Sequence, residues 1–208
     1  MTVRPFGDRA FLIELEQRID PAIVDHGRAI ADAWEGRGLG DAIPAYASVV
    51  VSFDPARTAW RDAAAAARFL ARSAPGASAV ADSRTIEVPT VYDGPDLHET
   101  AARSGMSADE LIALHCGREY RVFFLGFMPG LAYCGMLDAR IDAPRLHAPR
   151  PRVPAGSVGI ANGQTVVYPV DSPGGWRLIG RTDLSMFDPR RDPPALVRAG
   201  DRLRFVAR

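Results

Sequence analysis

Residues 120–138 read YRVFFLGFMPGLAYCGMLD, residues 143–170 read APRLHAPRPRVPAGSVGIANGQTVVYPV, and residues 172–182 read SPGGWRLIGRT. Short apolar, β-branched runs (YRVFFLGF, SVGIA, QTVVYPV, WRLIG) alternate here with glycine and proline, the punctuation of short strands and tight turns. Glycine serves where the backbone needs positive φ or a close approach, and proline where φ must be fixed and a donor removed, so this density specifies loop shapes. Asn162-Gly163 between SVGIA and QTVVYP is a type I′ hairpin signal. With DRLRFVA near the C-terminus, the pattern predicts a small closed barrel or sandwich.

Upstream the pattern is different. TVRPF and RAFLIELE are strand-like runs joined through Gly7-Asp8, with Phe11, Ile13 and Leu15 on one face, and they predict a hairpin. Asp20 and Pro21 supply an N-cap and a first-turn proline for a helix through about Trp34, with Ile23, Ile30 and Trp34 at helical spacing. A strand from Tyr46 to Phe53 follows, and Asp54-Pro55 repeats the helix-start signal before an alanine-rich helix through about Ala71. Residues 73–83, rich in Pro, Gly, Ser and Ala, read as a linker. After it RTIEVPTVY predicts a strand, Leu97–Ser104 a short helix, and Ser107 with Glu110 a capping box for a helix ending at Gly117. The fold class expected is α+β, with a small α/β domain over residues 1–80 and a β-barrel domain over residues 84–208.

Composition excludes several functions. The 208 residues carry 25 basic and 25 acidic side chains, so no general field recruits nucleic acid or an anionic membrane. Every basic residue apart from the histidines is arginine; without lysine there is no Walker A loop and no Schiff-base lysine. Cys116 and Cys134 make no disulfide framework, and Cys134 reads as a small core hydrophobe. No signal peptide or membrane-length apolar run is present, which predicts a cytoplasmic protein.

Candidate ligand-binding residues come from the glycine-rich script. FLGFMPG (residues 124–130) offers backbone amides flanked by Phe127 and Tyr133, as small-molecule sites combine apolar walls with a few donors; a barrel corner with aromatic filling explains it nearly as well. Arg145, Arg150 and Arg152 lie on a proline-stiffened run, where guanidinium groups can pair with carboxylate or phosphate, and Arg152 ranks first of the three. Gly156, Ser157 and Gln164 present donors or acceptors at the expected barrel mouth. Ser157 lacks the GxSxG context of a nucleophile. Trp176 and Arg181 complete the set, with Gly174-Gly175 read as a tight turn ahead of a buried tryptophan. His26, His98 and His115 fall on predicted helices, where exposed or capping roles are the default, and only His147 is a candidate for acid/base work. No metal-ligand spacing is visible.

These motifs run in order from GDRAFLIE through IDP, IPAYASVVVSFDP, VPTVYDGPDL, LIALH, FLGFMPG, PRLHAPRPRVPAGSVGIA, QTVVYP and SPGGWRLIGRT to GDRLRF. They make the sequence closely similar, across nearly the whole chain, to the family of 5-oxoprolinase B subunits (PxpB), KipI and allophanate hydrolase subunit 1. Leu131, Ala132, Cys134 and Asn162 depart from the family's usual residues. The resemblance implies an α/β domain followed by a cyclophilin-like β-barrel and, as partners, a C subunit (the allophanate hydrolase subunit 2 homologue) and an A subunit. It implies that the assembled complex opens 5-oxoproline to L-glutamate at the expense of ATP; the residues of this chain show no recognisable metal-ligand cluster. Alternatives that it leaves open are a carboxyltransferase component of a biotin-dependent enzyme and a KipI-like inhibitor of a histidine kinase. The reading expects the barrel half to hold a ligand-sized hollow completed by another polypeptide.

Overall fold

In the computed structural model, residues 1–74 and 83–208 are described, and they divide into two compact units, residues 1–81 and 82–208. The linker expected at residues 73–83 lies mostly outside the described residues.

The first unit is a four-stranded antiparallel sheet with two helices. Strands β1 (Thr2–Pro5) and β2 (Ala10–Glu14) form the expected hairpin, followed by helix α1 (Pro21–Gly36), strands β3 (Ala42–Pro44) and β4 (Ser48–Ser52), and helix α2 (Trp60–Ser73). The sheet order is β1-β2-β4-β3. Alternation buries Phe11 and Ile13 of β2 and Val49 and Val51 of β4 on one face, against Ile30 and Trp34 of α1 and the alanine face of α2. Asp20 caps α1 by accepting from the Ala22 amide at 2.8 Å. The helix start expected at Asp54-Pro55 is displaced to Trp60. Asp54 instead closes a local turn, accepting from the Ala56 amide through its side chain and from the Arg57 and Thr58 amides through its carbonyl; these bonds compete with helix initiation.

The second unit contains β5 (Thr85–Thr90), α3 (Leu97–Arg103), α4 (Ala108–Cys116), β6 (Glu119–Leu125), β7 (Ala132–Gly135), β8 (Arg150–Val153), β9 (Ser157–Ala161), β10 (Gln164–Val167), β11 (Ser172–Gly174), β12 (Arg177–Arg181) and β13 (Arg202–Ala207). Seven strands run in the order β12-β9-β10-β7-β6-β13-β5, every neighbour antiparallel except the parallel pair β13-β5. Residues 91–96, just beyond β5, then run beside β12: Val91 and Arg181 exchange two backbone hydrogen bonds, and the Gly94 and Asp96 amides donate to Ile179 and Leu178. This closes the sheet into a barrel and removes its free edges. The Asn162-Gly163 turn adopts positive φ at both residues (50° and 75°), as the I′ hairpin requires. Ser107 and Glu110 form the complete capping box of α4.

Inward-facing Val88, Tyr120, Val122, Ala132, Cys134, Val158, Ile160, Val167, Ile179, Leu203 and Phe205 pack the barrel interior. The barrel interior is thus filled by close-packed side chains, and any hollow in the barrel half lies outside it. Strands β8 and β11 form a separate two-stranded ribbon, so residues 172–174 pair with β8 instead of making the tight turn read from SPGG.

Candidate functional site on the outer face of the barrel

Alternation along β7 points Cys134 inward and Tyr133 outward, and on β10 it points Thr165 and Val167 inward and Val166 outward. The outward residues form a second cluster, Leu131, Val153, Ala161, Val166, Tyr168, Trp176 and Leu178, with Met128 and Tyr133 packed on it. Tyr133 stacks on Phe124 with ring centroids 4.6 Å apart and planes 11° from parallel, and its ring meets Trp176 at 5.9 Å and 57°. Trp176 is buried, while Phe124 and Tyr133 are half-buried. Gly174 permits this arrangement because a Cβ there would lie 2.2 Å from the Tyr168 hydroxyl oxygen. That hydroxyl in turn accepts from the Trp176 backbone.

Over this aromatic surface lies Arg145, its guanidinium carbon 5.1 Å from the Trp176 ring centroid. Its backbone is pinned on both sides. The Pro144 carbonyl accepts from Arg177 Nε at 3.2 Å, and the Leu146 amide donates to the Gly175 carbonyl at 2.7 Å. Arg177 is itself buried and paired with Glu99 at 2.9 Å. Burial raises the pKa of Tyr133 and pushes that of Tyr168 up to about 12, with the positive charge of Arg145 opposing both shifts. Both hydroxyls are thus protonated at neutral pH.

The other arginines of this region are answered by carboxylates. Arg150 donates to Asp96 at 2.6 Å, and the other Asp96 oxygen accepts from the Leu178 amide at 2.7 Å, tying β8 to β12. Arg152, the residue ranked first from sequence, is 78% exposed at its side chain and paired with Asp171 at 2.6 Å. Asp171 also accepts from the Ala155 amide. Arg181 pairs with Asp93 at 2.9 Å on the surface. Among the described residues no carboxylate or hydrogen-bond acceptor answers Arg145.

The sequence-predicted residues do not converge on one point. Tyr133 and Trp176 belong to the aromatic cluster. Gly156 sits at the start of β9 with φ +80°, where a Cβ would lie 2.3 Å from the Thr182 carbonyl, and Ser157 pairs in register with Arg181. Gln164, buried, pairs with Ala161 at the opposite end of the β9–β10 hairpin, roughly 13 Å along the strand from Ser157 at about 3.3 Å per residue. Phe127, in the β6–β7 loop, is 77% exposed with φ +69°, a conformation that is uncommon for a bulky residue. Sequence reasoning passed over Tyr168 and Asp96, and included Phe124 only as the first residue of the FLGFMPG segment. It noted Arg145 only as one of three arginines, since the signal that separates it, the partners of the other two, lies in distant segments.

His115 is corrected most sharply. It is fully buried at the end of α4 instead of exposed or capping. Nδ1 is 2.6 Å from the Tyr92 hydroxyl and Nε2 is 3.0 Å from the Thr165 hydroxyl. The Thr165 hydroxyl donates to the Gly159 carbonyl, so it accepts from Nε2–H, and Tyr92 donates to Nδ1. Burial drives the imidazole pKa down to about 3, and the ring is neutral. Burial likewise raises the Tyr92 and Tyr120 pKa values, so the neutral ring and protonated hydroxyls form a satisfied polar core. His147 is exposed. A hollow of about 610 Å³ lies between α4 and β13, lined by Ile112, Cys116, Arg204 and Phe205 among others, apart from the aromatic cluster.

Among the described residues no group of three or more His, Cys, Asp or Glu side chains is placed to hold a metal ion. No helix among them is long and apolar enough to cross a membrane.

Comparison with known proteins places the chain. The family profile described as "Carboxyltransferase domain, subdomain C and D" matches residues 1–197. The chain is 38% identical to the 5-oxoprolinase B subunit of Bacillus subtilis, covering 99% of this chain and 94% of that protein. The 5-oxoprolinase B subunit of Escherichia coli O157:H7 is 54% identical over 60% of this chain and 59% of its own length. Among solved structures, TTHA0988 superposes with a TM-score of 0.83 at 36% identity over 96% of this chain, which spans 40% of TTHA0988. The Kluyveromyces lactis urea amidolyase superposes with a TM-score of 0.77 at 18% identity, and there the likeness is one of fold, over 15% of that chain. The chain belongs to the carboxyltransferase-domain family of subdomains C and D in which the 5-oxoprolinase B subunits fall.

Proposed function

We propose that this chain is the B subunit of an ATP-dependent 5-oxoprolinase that opens 5-oxoproline to L-glutamate together with the A and C subunits. The observation that carries the reading is similarity to the B. subtilis protein along 94% of its length.

The substrate is a small, flat lactam bearing a carboxylate, and its amide resists water until the oxygen is activated. ATP supplies that activation. Around the aromatic cluster, Arg150, Arg152, Arg177 and Arg181 are each paired with a carboxylate, so this face does not offer the several uncommitted donors that a polyphosphate needs. On this reading the nucleotide is held with the help of a partner subunit, and the chain alone is expected to give no turnover. Its own contribution is binding and orientation. Phe124 and Tyr133, half-buried, are the accessible part of the aromatic cluster and can shield one side of a ring from water, and the Tyr133 and Tyr168 hydroxyls stay protonated. Holding a reactant in place converts binding energy into rate.

Mixing the three purified subunits with ATP and 5-oxoproline tests the proposal. Glutamate and ADP should form in equal amounts only when all three are present. Folded, associated components that yield no glutamate would refute it. Carboxyl transfer from carboxybiotin, measured on the same mixture, should be absent.

A further inference from the structure

Arg145 differs from its neighbours in what it lacks and what it touches. Of the three arginines in the 145–152 run, Arg150 is committed to Asp96 and Arg152 to Asp171. Arg145 has an exposed side chain over the Trp176 ring, and among the described residues neither a carboxylate nor a hydrogen-bond acceptor meets it. Its position is not left to chance. The carbonyl before it and the amide after it are both held, by Arg177 and by Gly175, and Arg177 is buried and ion-paired. A cation–π contact fixes the position of the guanidinium while leaving its N–H donors for an acceptor, and the planar fork matches the two oxygens of a carboxylate.

The surroundings define what comes with that carboxylate. Tyr133, half-buried, stacks on Phe124 and tilts against Trp176, the buried ring beneath Arg145. Tyr133 and Arg145 both meet the Trp176 ring, at 5.9 Å between ring centroids and at 5.1 Å from guanidinium carbon to centroid, so they share one locality. A flat ring set against the exposed part of Tyr133 would bring a carboxylate substituent to the guanidinium.

We propose that Arg145, set over Trp176 beside Tyr133, is the carboxylate-binding residue of this chain, and that its ligand is a small ring-bearing carboxylate. This rests on the functional reading above in naming 5-oxoproline as the probe, and it assigns to Arg145 the anion recognition that sequence ranking gave to Arg152.

The test uses the full chain with its partner subunits and compares 5-oxoproline with 2-pyrrolidinone, the same lactam without its carboxylate. Calorimetric affinity and the indole N–H resonance of Trp176 report binding, whether or not the mixture turns over. The wild type should bind 5-oxoproline at least tenfold more tightly than 2-pyrrolidinone and shift the Trp176 resonance. Arg145→Gln should abolish that preference while leaving 2-pyrrolidinone affinity unchanged, and Arg145→Lys should restore part of it. Where turnover is measurable, KM for 5-oxoproline should rise at least tenfold in Arg145→Gln. Circular dichroism and melting temperature confirm that each variant folds. An equal loss for both lactams, no carboxylate preference in the wild type, or an unchanged preference in Arg145→Gln overturns the assignment. Carboxylate-dependent binding without glutamate formation leaves it standing and refutes the oxoprolinase reading alone.

Discussion

At the scale of single residues, Gly156 shows how closely the loop script is tied to geometry. Its φ of +80° lies in the left-handed region, and the space a Cβ would need is taken by the Thr182 carbonyl 2.3 Å away. Gly156 also receives the Thr182 amide and donates to the Tyr168 carbonyl, so the backbone cannot move aside without losing both bonds. Gly156→Ala should lower the unfolding free energy of the barrel by about 2 kcal/mol or more, combining left-handed strain with the overlap. Urea denaturation followed by near-ultraviolet circular dichroism measures this, and a midpoint equal to wild type would mean that the β8–β9 corner relaxes freely. This glycine was legible as a special residue from sequence because PAGS demanded a shape. Its partner Thr182 was not, because nothing local connects residues 26 apart.

At the scale of elements, Asp96 decides where β8 sits. One oxygen takes the Leu178 amide of β12 and the other takes Arg150 of β8, and the carboxylate is only 6% exposed. Removing one member of a largely buried pair leaves the other charge desolvated and uncompensated, at a cost of roughly 3 kcal/mol or more. Asp96→Ala should therefore destabilise the barrel by about that amount, whereas Asp96→Asn, which retains an acceptor for Leu178, should cost less; denaturant unfolding separates the two. Equal, small losses would show that β8 is held by its pairing with β11 alone. The same contrast explains which elements could be read in advance. The β9–β10 hairpin and α4 announce themselves through Asn162-Gly163 and the Ser107–Glu110 box, signals contained within a few residues. Strands β3, β7, β8 and β11 are only three or four residues long. Their strand character comes from partners far along the chain, and a Pro-Gly-Gly stretch such as residues 173–175 reads locally as a turn. The candidate site was half legible for the same reason. Tyr133 and Trp176 stood out as aromatics in a glycine-rich setting, but the commitment of Arg150 to a carboxylate 54 positions away had no local signature.

At the scale of the molecule, the barrel unit carries a buried titratable group whose effect on stability has a definite sign. His115 is held neutral in the folded state, with its pKa lowered to about 3 by burial, while in the unfolded chain it titrates near 6.5. Between these values the unfolded chain binds a proton that the folded barrel refuses, so stability is fully present above pH 6.5 and falls as the pH drops toward 3. The slope approaches about 1.4 kcal/mol per pH unit. Asp201, buried and accepting from Arg84 and Arg198, has a lowered pKa and adds a loss of the same sign only once the pH falls below the ordinary carboxylate range. Glu110, whose pKa is also lowered, begins to contribute only near pH 4.5, so the upper part of the interval from pH 6.5 to 4.5 is governed by His115. Hydrogen exchange of the slowest amides in β6, β10 and β13 should show the barrel losing stability across that interval, while the His115 ring resonances keep the neutral Nε2–H pattern. An imidazole that protonates near pH 6 in the folded protein would contradict the tautomer in which Tyr92 donates to Nδ1 and Nε2–H donates to Thr165. It would also require the barrel core to admit a charge that no carboxylate, among the described residues, is hydrogen-bonded to that ring to balance.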